Sequence, residues 1–231
     1  MSDGGICLLI GNSRWHWATR TDAGWRFDHT APDPGRLDRL PLDRWAAVGP
    51  VPDHGALTGP KQLGLPHVPL QGMPPWLGVD RALAGWAAWR AAAPLSSGAG
   101  VIVADAGTVL SLTRVTADGG FAGGQLAAGL RLQLKAMAAG TRDLPQSDGC
   151  DPWPEEVFPQ DTLAAMQQGC LQALLGLLLE AQRHCQWPLW LCGGDAPLLV
   201  SALEQRGIAV VHAPDLVMQG MVGLLRPGPD R

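Results

Sequence analysis

The sequence is poor in positively charged side chains. Only two of its 17 Lys and Arg residues are lysines, and the basic residues form no run. The sequence also has no tyrosine. A formal net charge of −4 and a pI near 5.8 provide no positive surface for nucleic acid or anionic lipid. We therefore expect neither nucleic acid nor a membrane as a partner.

The sequence also lacks the patterns typical of secreted, zinc-binding or membrane-spanning proteins. Its five cysteines are irregularly spaced and include no C-x-x-C pair, so they predict neither a disulfide framework nor a zinc site. No stretch reaches about 18 uninterrupted apolar residues, and the first residues lack the positive flank of a signal peptide. We expect a cytoplasmic protein.

The composition that is present predicts a well-packed α/β protein. The 231 residues are 46% hydrophobic and 16% charged, which is enough apolar material for a large core. Short apolar runs that predict strands alternate with longer segments that predict helices. The longest predicted helix runs from about Asp161 to His184 and is apolar around much of its circumference, which predicts burial against the core or a partner subunit.

Two segments share one layout of strand, turn, strand, turn, strand. The first begins with the predicted strand Ile6 to Ile10, and the second occupies Gly100 to Gly124. Adding 96 to the numbering carries Gly11 onto Gly107 and Gly24 onto Gly120. This constant offset indicates an internal duplication and predicts a two-lobed architecture.

The second segment contains the sequence Asp105-Ala106-Gly107-Thr108 directly after a predicted buried strand. Glycine lets the backbone approach a phosphate, threonine offers a hydroxyl and an N–H group, and the acid can hold a cation beside the phosphates. A hairpin turn without function fits the same four residues, because the motif is short.

A second candidate is the pair Asp80-Arg81, at the start of a predicted helix that ends near Ala92. Arg81 can bind a carboxylate through two hydrogen bonds, and Asp80 can accept a proton from an attacking alcohol. The alternative is a helix N-cap followed by a surface charge. We expect this pair to converge with the two glycine turns and with Gly193-Gly194-Asp195 on one site.

At this point the sequence resembles type III pantothenate kinases, of the sugar-kinase/actin-like superfamily, over nearly its whole length. Six segments carry the resemblance in order: Gly11-Asn12-Ser13, Gly78-Val79-Asp80-Arg81, Asp105-Ala106-Gly107-Thr108, Gly123 to Gly129, LCGGDAPLL and APDLVMQGMVGLL. The resemblance implies a duplicated actin-like/ribonuclease H-like α/β fold with two lobes around a nucleotide cleft. Residues 1–95 would form the N-terminal lobe and residues 96–231 the C-terminal lobe.

The resemblance also implies an activity, cofactors and an assembly. The enzyme would transfer the γ-phosphoryl group of ATP to pantothenate, giving 4′-phosphopantothenate in the first step of coenzyme A biosynthesis. It would use Mg²⁺ and a monovalent cation, either K⁺ or NH₄⁺. It would act as a homodimer with a shared active site.

Site roles follow from the same resemblance. Asp80 would be the general base, with Gly78, Val79 and Arg81 beside it in the pantothenate pocket. Thr162 would reach pantothenate across the dimer interface, although it also fits an ordinary helix start. Asp105 would hold the monovalent cation, and Thr108 would contact ATP. The segment expected along the ATP phosphates consists of Leu9, Ile10, Gly11, Asn12, Ser13, Arg14, Trp15 and His16.

The sequence departs from the family pattern at three positions. Leu9 stands where the opening motif has an acid, Thr113 where an acid is common, and Ala128 where a proline is usual. The change at Leu9 removes a carboxylate expected to organise magnesium. Two alternatives therefore remain, a non-catalytic regulatory or binding member of the family and another small-molecule kinase of the superfamily.

Overall fold

A computed structural model describes residues 5–93, 98–147, 149 and 152–225. The chain forms two compact units. The first unit comprises Met1–Gly100, Val115–Ala122 and Asp215–Arg231, and the second comprises Val101–Arg114 and Gly123–Pro214. The predicted lobes, 1–95 and 96–231, stay a prediction.

Strands and helices alternate along the described residues, as the sequence predicts. In chain order they are β1 (Ile6–Ile10), β2 (Trp15–Thr21), β3 (Gly24–Thr30), α1 (Pro34–Leu37), β4 (Arg44–Ala47), α2 (Val79–Ala92), β5 (Val101–Ala106), β6 (Val109–Val115), β7 (Phe121–Ala128), α3 (Leu130–Gly140), α4 (Thr162–Cys185), β8 (Leu189–Cys192), α5 (Ala196–Glu204), β9 (Val210–His212) and α6 (Leu216–Gly223). Short 3₁₀ turns occupy Gly59–Lys61 and Leu65–His67.

The first unit is built on a four-stranded sheet in the order β3-β2-β1-β4. Strands β1, β2 and β3 are antiparallel neighbours, whereas β4 runs parallel to β1. Alternate residues Ile6, Leu8 and Ile10 join one apolar cluster together with Trp15 and Trp17. Because side chains alternate along a strand, Cys7 and Leu9 lie on the opposite face.

Helices α2 and α6 of the first unit approach each other closely. A Cβ atom added to Gly220 of α6 would overlap the backbone oxygen of Leu83 in α2. Glycine at this position therefore allows the two helix backbones to come within direct contact. Trp86 packs beside Gly223 one turn farther along.

The second unit contains a five-stranded sheet in the order β7-β6-β5-β8-β9. Strand β8 pairs in parallel with β5, and β9 pairs in parallel with β8. Helix α4 supplies six residues to the buried core: Met166, Cys170, Leu171, Leu174, Leu175 and Leu178. Each unit thus places a later strand parallel to its first strand.

Helix α4 has defined ends. The Asp161 carboxylate accepts a hydrogen bond from the Ala164 N–H group at 3.0 Å, so Asp161 is the N-cap. Gln186, with φ of 54°, ends the helix in the left-handed conformation. By length and composition α4 would be apolar enough to cross a membrane, with a mean hydropathy of 1.4. A buried core helix has the same properties, and α4 contributes one face to the core of the second unit.

Candidate functional site

The Gly11-Asn12-Ser13 turn follows β1 directly. The Gly11 N–H group donates a 3.0 Å hydrogen bond to the Arg14 backbone oxygen, which closes the turn. A Cβ atom on Gly11 would lie only 2.7 Å from that oxygen, so the turn requires glycine. Asn12 and Ser13 are exposed at its tip. A tight turn with exposed polar groups at the end of a strand suits an oxyanion.

Gly49, two residues after the end of the neighbouring strand β4, supports this turn. A Cβ atom on Gly49 would overlap the Gly11 backbone oxygen and would lie 2.9 Å from the Asn12 nitrogen. The N–H groups of Val48 and Gly49 both donate to the Ile10 oxygen, at 2.9 and 3.1 Å. Gly49 is absent from the sequence-based site. Its signal in the sequence is the Gly49-Pro50 pair, which directly follows the short apolar run Trp45 to Val48.

The remaining residues of the predicted ATP segment have mixed surroundings. Leu9, Ile10 and Trp15 are buried at 3% exposure or less. Arg14 is exposed. His16 lies opposite Leu9 across the β1–β2 pair. The backbone turn and His16 are therefore available to a ligand, whereas the side chains of Ile10 and Trp15 belong to the core.

The Gly78-Val79-Asp80-Arg81 segment forms the start of α2. Gly78 is the N-cap residue and Asp80 lies in the first turn, so the alternative of Asp80 as the N-cap is wrong. The Asp80 Oδ1 atom accepts a hydrogen bond from the Arg81 N–H group at 2.8 Å. A Cβ atom on Gly78 would overlap Asp80 Oδ1 and lie 3.8 Å from Val48. This end of α2 therefore lies beside the residues that support the Gly11 turn.

Burial shifts the pKa values of both Asp80 and Arg81. Removal from water raises the pKa of Asp80, and the hydrogen bond and positive charge from Arg81 offset part of that rise. Burial also lowers the pKa of Arg81, and the Asp80 carboxylate opposes that change. Arg81 is 9% exposed, which is unusual for arginine. A half-buried acid with a raised pKa is a suitable proton acceptor.

In the second unit, Asp105 lies near the end of β5, and Thr108 is exposed in the turn to β6. The Gly129 N–H group donates to the Thr108 oxygen at 3.0 Å. A Cβ atom on Gly129 would overlap the Gly107 oxygen and lie 2.8 Å from the Thr108 oxygen. The start of α3 therefore packs directly against the Asp105–Thr108 turn.

The Gly193-Gly194-Asp195 segment approaches the same turn from the end of β8. Gly193 has φ of +91°, and an added Cβ atom would lie 2.5 Å from both Ala106 O and Asp105 Oδ1. The Asp195 N–H group donates to Ala106 O at 2.9 Å. These contacts confine the Asp105 carboxylate. Gly193 occupies the place in the second unit that Gly49 occupies in the first, since each follows the strand parallel to the first strand.

Thr162 is the first residue of α4 and is exposed, and its neighbour Asp161 supplies the cap. Its predicted role at a dimer interface stays a prediction. Within the described ranges, no group of three or more His, Cys, Asp or Glu side chains could hold a metal ion.

Two solved structures match the fold over almost the whole chain. A conserved Baf family protein from Campylobacter jejuni has a TM-score of 0.62 at 16% identity, covering 95% of this chain and 96% of that one. A Sinorhizobium meliloti protein assigned as a 2-dehydro-3-deoxygalactonokinase has a TM-score of 0.57 at 15% identity, covering 96% and 98%. The chain shares the fold of these two proteins, one of them assigned as a sugar kinase, which confirms the predicted fold class.

Sequence similarity identifies the protein family within this fold. The family profile described as type III pantothenate kinase matches residues 68–183. The type III pantothenate kinase of Synechococcus sp. strain JA-2-3B'a(2-13) is 35% identical over 236 residues, covering 94% of this chain and 87% of that protein. The chain belongs to the type III pantothenate kinase family.

Proposed function

We propose that this protein transfers the γ-phosphoryl group of ATP to the hydroxyl group of pantothenate, giving 4′-phosphopantothenate for coenzyme A biosynthesis. Relatives that carry the name of this kinase align with 94% of the chain. The structural observation that carries the proposal is Asp80, an acid with a raised pKa beside a buried arginine at the start of α2.

Asp80 acts as the general base in this proposal. The pantothenate hydroxyl oxygen attacks the γ-phosphorus, the bond from that phosphorus to the bridging oxygen breaks, and ADP leaves. The hydroxyl proton passes to the Asp80 carboxylate. The raised pKa favours this step, because a base is most effective when its pKa approaches the working pH. Arg81 binds the pantothenate carboxylate, and Gly78 and Val79 line the pocket.

The glycine turns bind ATP. Backbone N–H groups of Asn12 and Ser13, within the segment Leu9 to His16, contact the phosphates, and Thr108 contacts the nucleotide. Asp105, confined by Gly193, holds a K⁺ or NH₄⁺ ion. Mg²⁺ would be held mainly by water and by the phosphates of ATP, because this ion usually keeps several waters and needs few protein ligands. When bound, Mg²⁺ neutralises charge on the phosphates of ATP.

We also propose that the enzyme is a cytoplasmic homodimer in which Thr162 reaches pantothenate bound to the partner subunit. The position of Thr162 at the exposed start of α4 supports this role. A monomer in solution that retains full activity would contradict it.

A coupled assay of ADP release with pantothenate, with and without K⁺, tests the function. Wild-type protein is expected to turn over only with pantothenate and with K⁺ or NH₄⁺. Asp80→Asn should lower kcat by about 10²–10⁴-fold, the range typical of general-base loss. Asp53→Asn, at an exposed aspartate in a loop of the same unit, is the matched control and should retain activity. Full activity of Asp80→Asn would exclude Asp80 as the base.

A second candidate is a non-catalytic binding member of the family. The observation that favours it is Leu9, which is 3% exposed on β1 at the position where the family pattern has an acid. This candidate predicts that ATP or pantothenate binds without turnover. Sustained turnover by the pure protein in the same assay would exclude it.

A further inference from the structure

Two histidines and an aspartate form a hydrogen-bonded chain in the first unit. His16 on β2 lies directly opposite His29 on β3, so both side chains project from the same face of the sheet. Their Nδ1 atoms are 2.7 Å apart. The His29 Nε2 atom is 2.9 Å from Oδ1 of Asp215, the N-cap residue of α6. The order of the chain is therefore Asp215, His29, His16.

The free end of this chain points to the Gly11 turn. A Cβ atom on Gly11 would lie 3.3 Å from the Nε2 atom of His16 and 3.6 Å from its Cδ2 atom. Leu9 on β1 is the residue paired with His16, and its side chain is apolar. Among the paired side chains Leu9, His16 and His29, His16 is therefore the polar one next to the Gly11 turn.

The geometry links the protonation of the two rings. Because His29 Nε2 faces a carboxylate, it carries a proton and donates a hydrogen bond to Asp215 Oδ1. In neutral His29 the Nδ1 atom is then an acceptor, so the proton between the rings belongs to His16 Nδ1. Neutral His16 consequently has a lone pair on Nε2, which would repel a phosphate oxygen.

One added proton reverses this arrangement. When His29 is a cation, both of its nitrogens donate, so His16 Nδ1 becomes the acceptor and its proton moves to Nε2. His16 Nε2 is then an N–H donor facing the Gly11 turn, and the positive charge lies next to the Asp215 carboxylate. A phosphate oxygen favours this second arrangement.

The charges around the chain support the neutral arrangement before a phosphate binds. Burial, His29 and Arg14 lower the pKa of His16 to about 4, and Asp215 acts in the opposite direction. Strand β1 contributes uncharged Leu9 at this position. Asp28, adjacent to His29, is already paired with Arg36 at 2.8 Å. His29 contacts the Asp215 carboxylate directly at 2.9 Å, and its side chain is 31% exposed.

We propose that Asp215 and His29 are positioning residues that couple proton uptake to nucleotide binding, by switching His16 Nε2 from acceptor to donor at the Gly11 turn. The inference rests on the proposed function, because it takes the phosphates of ATP as the ligand of that turn. The proton comes from the solvent, and no covalent bond is formed. Nucleotide affinity should then fall as the pH rises, because the complex holds one proton more than the free protein.

Calorimetric titration with ATP, in buffers of different ionisation enthalpy, measures the protons taken up on binding. We expect wild-type protein to take up about one proton more than Asp215→Asn or His29→Gln, since one site is linked. The comparison cancels the titration of ATP itself. Asp215→Asn retains the size of the side chain and a polar group at the start of α6, and His29→Gln provides a second variant if the first unfolds.

His54→Gln is the matched control. His54 Nε2 contacts the Asp38 carboxylate at 3.0 Å, as His29 contacts Asp215, but its Nδ1 atom accepts from the Ala56 backbone instead of meeting a second histidine. This variant should take up as many protons as wild type. Nitrogen-15 NMR of the ATP-free protein adds a direct readout, with the proton of His16 expected on Nδ1 in wild type.

The outcomes separate this inference from the proposed function. Failure of wild-type protein to bind ATP would refute the proposed function, and the inference with it. Binding of ATP with equal proton uptake in wild type and both chain variants would refute the inference alone. An Nε2–H tautomer of His16 in ATP-free protein would also overturn it.

Discussion

Gly193 provides a sharp test of the geometry around Asp105. This residue has φ of +91°, and an alanine Cβ atom there would lie 2.5 Å from the Ala106 oxygen and from the Asp105 carboxylate. The change Gly193→Ala therefore has two separate costs. One is a backbone conformation that alanine disfavours, and the other is steric overlap with groups beside the proposed cation site.

The magnitude follows from these two costs. A left-handed conformation costs a non-glycine residue about 1–2 kcal/mol. Overpacking in a tight environment adds about 1–3 kcal/mol. We therefore expect Gly193→Ala to lower the free energy of unfolding by about 2–5 kcal/mol, the sum of the two ranges. Displacement of the Asp105 carboxylate should also raise the K⁺ concentration needed for half-maximal activity.

Urea unfolding followed by tryptophan fluorescence measures the first effect, and K⁺ titration of activity measures the second. Gly207→Ala is the matched control for backbone strain, because Gly207 has φ of +74° but no atom within 4 Å of an added Cβ. Gly194→Ala has neither feature and should be neutral. Equal destabilisation by Gly193→Ala and Gly207→Ala, with unchanged K⁺ dependence, would refute the proposed contact with Asp105.

Two further predictions concern pH and helix capping. Because burial raises the pKa of Asp80 above the ordinary value of 3.8, kcat/KM should fall as the pH drops through that raised pKa, whereas residual activity of Asp80→Asn should not show this inflection. A raised pKa also means that the ionised Asp80 carboxylate destabilises the fold at neutral pH, and this cost disappears as the pH falls and the group is protonated. Asp80→Asn should therefore unfold at a higher temperature than wild type at neutral pH. A lower melting temperature of the variant would contradict this reasoning. Asp161→Ala should destabilise the second unit by about 1 kcal/mol through loss of the α4 cap, measured by urea unfolding, whereas Asp161→Asn should retain most of the stability. Equal loss in both Asp161 variants would argue against the bond to Ala164.

Local patterns predicted the elements well. Strand Ile6–Ile10 has the predicted bounds, because it is a short apolar run next to turn residues. Helix α4, Thr162–Cys185, differs by one residue at each end from the predicted helix. The sequence was less informative about Asp80, which could have capped α2 on residue type alone. The cap is Gly78, and Asp80 accepts from the next N–H group instead.

Contacts between distant segments could not be predicted in this way. Gly49 meets the Gly11 turn because β4 pairs in parallel with β1, and the two segments are separated by β2 and β3 in the chain. The duplication at a constant offset of 96 does not reach Gly49 and Gly193, because the intervening segments differ in length. His29 and Asp215 are 186 positions apart, and no motif joins them.

The sequence by itself determined the alternating strands and helices, the paired glycine turns and the family, because each depends on local periodicity or on short ordered motifs. Tertiary structure alone decided which glycines confine the turns, that burial raises the pKa of Asp80, and which side chains connect to His16. These properties depend on the distances between atoms that folding brings together, and sequence separation does not encode those distances.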